Sequence, residues 1–128
     1  MSSNATPLEL KDILDISSSG KCNDKDMVIL DVRGPGEYSE GHVKGAKNVP
    51  VQELDQALQL SAGDFKAKYK FELPAKDSAT GVVVHCMRGT RAQKAAGQLA
   101  EAGYKDNLYV YLPGWNELAG AKGIQIEK

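Results

Sequence analysis

Short apolar runs recur along the chain between more polar segments. Residues 27–30, 82–84 and 108–112 are continuous apolar stretches that are too short for a typical helix. Continuous apolar residues, without polar residues at every second position, are typical of strands that are buried on both faces of a parallel sheet. These three runs are therefore predicted to be the central strands.

Capping residues and helical periodicity predict helices between these runs. Thr6-Pro7-Leu8-Glu9 has the composition of a capping box with proline at the first helical position, which predicts a helix to about residue 16. The run at 82–84 leads into a helix that Gly103 ends, with apolar residues at helical spacing: Ala92, Ala95, Ala96 and Leu99. The other predicted elements are a polar loop at 17–24, a turn at 34–36, a helical turn at 37–42, a short strand at 45–50, helices at 51–60 and 63–72, and a short helix at 115–119.

Strands that alternate with helices predict an α/β fold. The expected architecture is a mostly parallel central sheet with helices on both of its faces, which makes three layers. A chain of 128 residues, 41% of them hydrophobic, is long and apolar enough to form one core. We therefore expect residues 1–128 to form a single domain.

The charge balance excludes a global attraction to polyanions. Sixteen basic and seventeen acidic residues give a formal net charge of -1 and a pI of about 6.1. Such a chain has no overall field that would recruit nucleic acid or an acidic membrane. Neither is expected as a partner, and any positive potential must be local. Lysines 66, 68, 70 and 76 form one basic segment, which we interpret as a solvated helix face.

Targeting and redox signals favour a reducing compartment. No stretch approaches the ~18 apolar residues of a membrane helix, and residues 1–6 lack the charged and apolar regions of a secretory signal. Two cysteines far apart in sequence do not make a disulfide framework. A cytoplasmic location is expected, or an organelle if a targeting peptide has been removed.

The most informative residue is Cys86, which follows an apolar strand and precedes a helix. Ligands of open α/β sheets bind at the carboxyl ends of strands, and a helix amino terminus offers unpaired N–H groups. Gly89 is expected to take a positive φ, so that the loop amides turn inward, while Arg88 and Arg91 add positive charge. The pattern predicts a reactive, solvent-accessible thiolate in a positive cup, with no separate general base, metal or cofactor.

A buried, inert cysteine is the simplest alternative for this position. One glycine and two arginines within five residues are poor core and favour chemistry instead. His85 should point away from Cys86 by strand alternation, so we interpret it as structural.

At this point the chain resembles the single-domain rhodaneses, a family of sulfurtransferases. The loop from Cys86 to Arg91 carries part of the resemblance. The remaining matching blocks extend over nearly the whole chain: Leu30-Asp31-Val32-Arg33 with Glu37-Tyr38, Gly41-His42-Val43 with Gly45-Ala46, Asn48-Val49-Pro50, and Gly103-Tyr104 with Leu112 and Trp115.

The resemblance implies a rhodanese-like three-layer sandwich and a sulfur-transfer activity. Cys86 would take a sulfane sulfur from a small donor such as thiosulfate, hold it as a persulfide and pass it to cyanide, a small thiol or a protein thiol. Backbone amides of the substrate-binding loop would stabilise the charge, and the side chains of Arg88 and Arg91 would orient an anionic donor. The loop comprises Met87, Arg88, Gly89, Thr90 and Arg91. Asp31 and Arg33 would brace the loop, and His42 would belong to the scaffold.

One departure from the family pattern concerns the segment before the last short helix. A Gly-Gly pair is common there, whereas this chain has Pro113-Gly114. The departure puts donor preference in doubt, because proline changes the shape or rigidity of the wall that this segment would form. Trp115 just beyond it is interpreted as packing rather than as a lid. The loops expected to set the donor and acceptor are 34–42, 61–76 and 112–116.

Two other functions stay open at this stage. A cysteine-dependent phosphatase or arsenate reductase uses a His-Cys-x5-Arg loop, but four residues separate Cys86 from Arg91 and Ala92 occupies the arginine position. A non-enzymatic interaction or regulatory module would keep the fold, although such modules typically lack the cysteine. Cys22 is interpreted as an exposed bystander, and a Cys22–Cys86 disulfide would instead indicate redox work.

Overall fold

Strands and helices alternate along residues 5–128, the part of the chain that this computed structural model describes. Residues 1–4, which belong to the segment examined for a secretory signal, lie outside it. In chain order the elements are β1 (Thr6–Pro7), α1 (Leu10–Ser19), β2 (Lys21–Cys22), β3 (Lys25–Asp31), α2 (Pro35–Glu40), β4 (His42–Val43), β5 (Lys47–Asn48), α3 (Val51–Ala57), α4 (Ala62–Tyr69), β6 (Gly81–His85), α5 (Thr90–Ala102), β7 (Leu108–Val110), α6 (Gly114–Leu118) and β8 (Ile126–Glu127).

The central sheet is parallel except at one edge. Its strands lie in the order β1-β7-β6-β3, and β5 pairs in parallel with the end of β3. The short β2 pairs antiparallel with the start of β3. The strands β3 and β6 run side by side from Met27 opposite Gly81 to Asp31 opposite His85. The carboxyl ends of both strands, where ligands of such sheets bind, therefore lie at the same edge of the sheet.

Helices cover both faces of this sheet, so the predicted three-layer α/β architecture is confirmed. On one face, α3, α4 and α5 pack against Val82 and Val84, and on the other, α1 and α6 pack against Val83. Adjacent valines of β6 thus enter opposite cores, which explains the continuous apolar run. No helix within residues 5–128 is long and apolar enough to cross a membrane.

The first helix begins later than predicted. Thr6 and Pro7 pair in parallel with β7, and the Leu8 amide donates to the Val110 carbonyl. An edge strand tolerates proline because its outer side needs no ladder hydrogen bond. The capping box therefore lies three residues further along, where Glu9 caps α1 and its amide donates to the Asp12 carboxylate at 2.8 Å.

The same helix also ends later than predicted, at Ser19 rather than at about residue 16. The serines expected in a polar loop instead donate their hydroxyls to carbonyls one turn back; Ser17 bonds Leu14 and Ser19 bonds Asp15, each at 2.9 Å. Gly20 then ends the helix with a φ of 76°, and its amide donates to the Ile16 carbonyl.

Candidate active site

The loop that follows β6 joins the sheet to the amino terminus of α5. Gly89 lies immediately before the helix with a φ of 105°, so the predicted positive φ is confirmed. An added Cβ at this position would lie 2.8 Å from the Leu112 carbonyl oxygen. Glycine is required here for both its conformation and its size.

Two backbone amides point at the sulfur of Cys86. The Gly89 amide donates to Sγ at 3.0 Å and the Ala92 amide at 3.3 Å. Ala92 lies outside the predicted loop of residues 87–91. Its place as the third residue of a predicted helix could have identified it, because the first amides of a helix have no intrahelical acceptor.

Cys86 is more enclosed than predicted. Its side chain is 1% exposed, so the expected solvent-accessible sulfur is wrong for this state of the protein. Cys86 belongs to the core cluster that includes Leu30 and Val49, from segments distant in sequence, and the loop brings both amides within hydrogen-bond distance of the sulfur. Those N–H donors replace water, and they interact more strongly with a negatively charged acceptor than with a neutral one.

The α6 segment holds the loop carbonyls away from the sulfur. The Trp115 amide donates to the Cys86 carbonyl at 2.7 Å, and the Asn116 amide donates to the Met87 carbonyl at 3.0 Å. Gly114 makes this approach possible with a φ of 67°. The departure from a Gly-Gly pair therefore keeps the glycine that contacts the loop, and Pro113 replaces the other one.

We expect a Gly114→Ala substitution to damage the loop. An added Cβ would lie 2.4 Å from the Cys86 carbonyl oxygen and 2.6 Å from that of Met87. The left-handed conformation alone costs a non-glycine residue about 1–2 kcal/mol. Because a misplacement of about 1 Å can cost a factor of about 100 in rate, a reaction step at the Cys86 sulfur should slow at least about tenfold.

Stopped-flow measurement of that step, with urea unfolding of the same sample, checks this expectation. Gly120→Ala is the matched control, because no atom lies within 4 Å of an added Cβ there and its φ is not positive. Equal rates for the two variants would show that the loop does not depend on the Gly114 contact.

The two loop arginines differ in their surroundings. Arg88 is exposed and makes no ion pair with any residue in 5–128. Arg91 is paired with Glu37 of α2, with donor–acceptor distances of 2.7 and 3.2 Å. This partner was not predicted from the sequence, and its carboxylate offsets the charge that Arg91 brings to the loop.

The Glu37 carboxylate is held from two sides. Besides the guanidinium, the Gly34 amide donates to it at 3.0 Å. The hydrogen bond from Arg91 is the main cause that lowers the pKa of Glu37 to about 2, and burial opposes it. Since this folded-state pKa lies below that of an unfolded chain, the pair contributes stability at neutral pH and loses it only as acid protonates Glu37.

Asp31 and Arg33 form a second ion pair beneath the loop. Their guanidinium–carboxylate distance is 2.7 Å, and the side chains are 0% and 1% exposed. The Arg33 guanidinium also donates to the Gly41 carbonyl at 2.7 Å and lies 4.7 Å from the centre of the Trp115 ring. This arrangement joins the end of β3 to α2 and α6, the elements on either side of the loop.

His85 is buried beside this pair. Its Nε2 lies 3.8 Å from the Asp31 carboxylate without a hydrogen bond, and its Nδ1 lies 3.1 Å from the Cys86 carbonyl oxygen. Burial lowers the pKa of His85, although Asp31 partly opposes this, so the ring is neutral near pH 7. His42 stacks on Tyr38 with ring centres 3.7 Å apart, and its Nδ1 lies 2.8 Å from the Tyr38 carbonyl oxygen.

Cys22 is buried rather than exposed. Its side chain is 7% exposed, its thiol lies 3.5 Å from the Asp12 carboxylate, and burial is the main cause that raises its pKa. The residue was misinterpreted because β2, which carries it to the edge of the sheet, has only two residues and no recognisable pattern.

The positions of the two cysteines exclude a disulfide between them in this fold. Cys22 lies opposite Lys25 at the start of β3, whereas Cys86 follows His85, which lies opposite Asp31 at its end. Six residues of strand span about 20 Å. A disulfide requires Cα atoms within about 7 Å.

The three segments expected to set the substrates are not equally close to the loop. Segment 34–42 contributes Glu37, and segment 112–116 contacts the loop carbonyls. Segment 61–76 instead lines an open cavity of about 680 Å³ beside Ala102 and Tyr104, at the far end of α5. A helix of 13 residues is about 20 Å long, so this segment is removed from Cys86.

Within residues 5–128, no group of three or more His, Cys, Asp or Glu side chains has the spacing needed to hold a metal ion.

Comparison with known proteins identifies similar chains. The profile described as "Rhodanese-like domain" matches residues 12–121. A fission-yeast (Schizosaccharomyces pombe) protein described as a putative mitochondrial thiosulfate sulfurtransferase is 36% identical over 73% of this chain. The human thiosulfate:glutathione sulfurtransferase is 31% identical over 78% of this chain and 82% of its own length.

A solved structure shares the fold. The human single-domain sulfurtransferase TSTD1 superposes with a TM-score of 0.80 and 28% identity, over 92% of this chain and 98% of that one. The match to the fission-yeast protein covers 64% of that relative's length, which is less than two thirds.

Proposed function

Because the chain belongs to the rhodanese-like domain family, we propose that it is a sulfurtransferase in which Cys86 carries the transferred sulfur as a persulfide. The observation that carries the proposal is the pair of amides, from Gly89 and Ala92, that donate to a single sulfur at the start of α5. Preorganised N–H donors of this kind stabilise negative charge on sulfur without a general base. The names of the fission-yeast and human relatives support the same chemistry.

The first half-reaction transfers the outer sulfur of thiosulfate to Cys86. The Cys86 thiolate attacks the outer sulfur of thiosulfate, and a bond forms between Sγ and that sulfur. The sulfur–sulfur bond within thiosulfate breaks, and sulfite leaves with the electron pair. The negative charge then lies on the outer sulfur of the persulfide.

The second half-reaction transfers the outer sulfur from Cys86 to an acceptor. A thiophilic nucleophile, either cyanide or a thiolate, attacks the outer sulfur, and the bond to Sγ breaks. The electron pair returns to Sγ, so the Cys86 thiolate is regenerated, and thiocyanate or an acceptor persulfide is released. No cofactor takes part in either half-reaction, and the acceptor is a small molecule or a protein thiol.

The remaining residues support the loop or bind the donor. Arg88 is exposed and supplies the charge that orients an anionic donor, and residues 87–91 form the donor-binding loop. Asp31 and Arg33 hold the loop from below, through the contact of Arg33 with Trp115. The alanine at position 92 gives an amide to Sγ where a phosphatase loop would give an arginine side chain, which favours sulfur transfer over phosphate chemistry.

Intact-mass spectrometry tests the proposal. After incubation with thiosulfate and removal of excess donor, the protein should gain one sulfur atom, and peptide mapping should place it on Cys86. Cys22→Ser should still gain the sulfur, whereas Cys86→Ser should not. Absence of the added sulfur in the wild-type protein, or its location on Cys22, would contradict the proposal.

The proposal also concerns location. Both cysteines are free thiols in the fold, which suits the cytoplasm or an organelle in which thiols are kept reduced. The fission-yeast relative is described as mitochondrial.

A further inference from the structure

The ionic groups around Cys86 form two neutralised pairs and one uncompensated charge. Arg33 is neutralised by Asp31 and Arg91 by Glu37, through contacts of 2.7 Å in each pair. Arg88 has no ionic partner within residues 5–128. The site is therefore much less positive than its three arginines suggest.

The Glu37–Arg91 pair is exposed enough to interact electrostatically with a bound donor. Its side chains are 36% and 35% exposed, whereas the Asp31–Arg33 pair is fully buried. Arg91 is next to Ala92, whose amide contacts Sγ, and the charge of Cys86 is among the causes that raise the pKa of Arg91. A change at Glu37 therefore alters the field at the reacting sulfur.

The Glu37 contact with Arg91 is bidentate. Two oxygens of one carboxylate accept from two nitrogens of one guanidinium, which is a geometry with high specificity. A free Arg91 would be suited to bidentate binding of a sulfonate-like group. In this fold Glu37 already occupies those donors.

We infer that Glu37 is a specificity-determining residue, which cancels the charge of Arg91 and so limits the preference of the site for dianionic over monoanionic sulfur donors. This inference rests on the proposed sulfur transfer at Cys86. Glu37 acts through Arg91 and does not touch the reacting atoms. Monoanionic donors, such as a thiosulfonate or an organic persulfide, are consequently a substrate class of the site beside the dianion thiosulfate.

Two donors that differ by one charge provide the test. Thiosulfate is a dianion and releases sulfite, whereas methanethiosulfonate is a monoanion and releases methanesulfinate; both transfer one outer sulfur to a thiolate. The measured quantity is the ratio of kcat/KM for thiosulfate to kcat/KM for methanethiosulfonate, with cyanide as the acceptor at low ionic strength. The ratio cancels any defect that affects both donors equally.

The kcat/KM ratio of thiosulfate to methanethiosulfonate should increase with the net charge of the residues at positions 37 and 91. Glu37→Gln frees Arg91 and should raise the ratio about fivefold, the effect of one partly screened charge at close range. Arg91→Gln leaves Glu37 uncompensated and should lower the ratio by a similar factor. The double variant should return to the wild-type ratio, and added salt should reduce all the differences.

Glu40→Gln is the matched control. It removes the same charge from the same helix, at an exposed position that makes no ion pair within residues 5–128, and its ratio should stay at the wild-type value. A Glu37→Gln variant that loses activity equally with both donors, or that matches the control, would show that Glu37 only braces the loop and would overturn the inference. Failure of the wild-type protein to acquire sulfur from either donor would instead overturn the proposed function.

Discussion

Replacement of Cys86 by serine will abolish sulfur transfer and leave the fold in place. The hydroxyl is similar in size to the thiol and can accept the same hydrogen bonds from Gly89 and Ala92. It is not ionised near neutral pH and cannot act as the attacking sulfur. Removal of a covalent nucleophile costs several orders of magnitude in rate, so thiocyanate formation should fall by at least about 10³-fold.

Cys22→Ser is the control for this loss. Cys22 is a buried cysteine with an acidic hydrogen-bond partner, but it lies at the other end of β3 from Cys86. Its variant should retain the wild-type rate. Far-ultraviolet circular dichroism and urea unfolding should show that both variants are folded. Measurable turnover by Cys86→Ser above the uncatalysed rate would contradict a persulfide on this residue.

An Asp31→Ala substitution will cause the largest loss of stability among the site residues. Asp31 accepts hydrogen bonds from both the side chain and the amide of Arg33, which is 1% exposed. Without the carboxylate, the partners that a buried guanidinium keeps among residues 5–128 are the Gly41 carbonyl and the Trp115 ring. Removal of one partner of a buried ion pair typically costs about 3–5 kcal/mol.

Urea unfolding will measure this loss. Asp26→Ala is the control, because it breaks a pair with Lys21 of similar length, 2.9 Å, whose side chains are more than half exposed. Exposed pairs contribute little to stability, so this variant should unfold close to the wild-type midpoint. A similarly small shift for Asp31→Ala would mean that water reaches Arg33 and that the pair does not brace the loop.

The main strands were predictable because burial on both faces leaves a simple trace in the sequence. In β6, Val82 and Val84 enter one core and Val83 enters the other, so all three positions must be apolar. Four of the five two-residue strands, β1, β2, β4 and β8, are too short to show any period, and only their partners define them. Thr6-Pro7 illustrates the limit: its local signal is that of a helix start, yet pairing with β7 overrides it.

The site was predictable where it depends on local sequence. Cys86 and the positive φ of Gly89 follow from a strand, a loop and a helix that are consecutive in the chain. The pairing of Arg91 with Glu37 is not predictable in this way, since the residues are 54 positions apart and meet only when α2 packs beside α5. The burial of Cys22 and Cys86 likewise depends on packing between distant segments.

The distance between the two thiols bears on the proposed binding and release of sulfur at Cys86. With Cys22 held at the opposite end of β3, the chain has no internal thiol that can reach Cys86 and resolve it. In the proposed persulfide cycle, an outer sulfur bound there, or an oxygen added by an oxidant, would wait for a second molecule to remove it. The concentration of acceptors around the protein would then set the lifetime of its persulfide, and a cell that runs short of small thiols would accumulate this form.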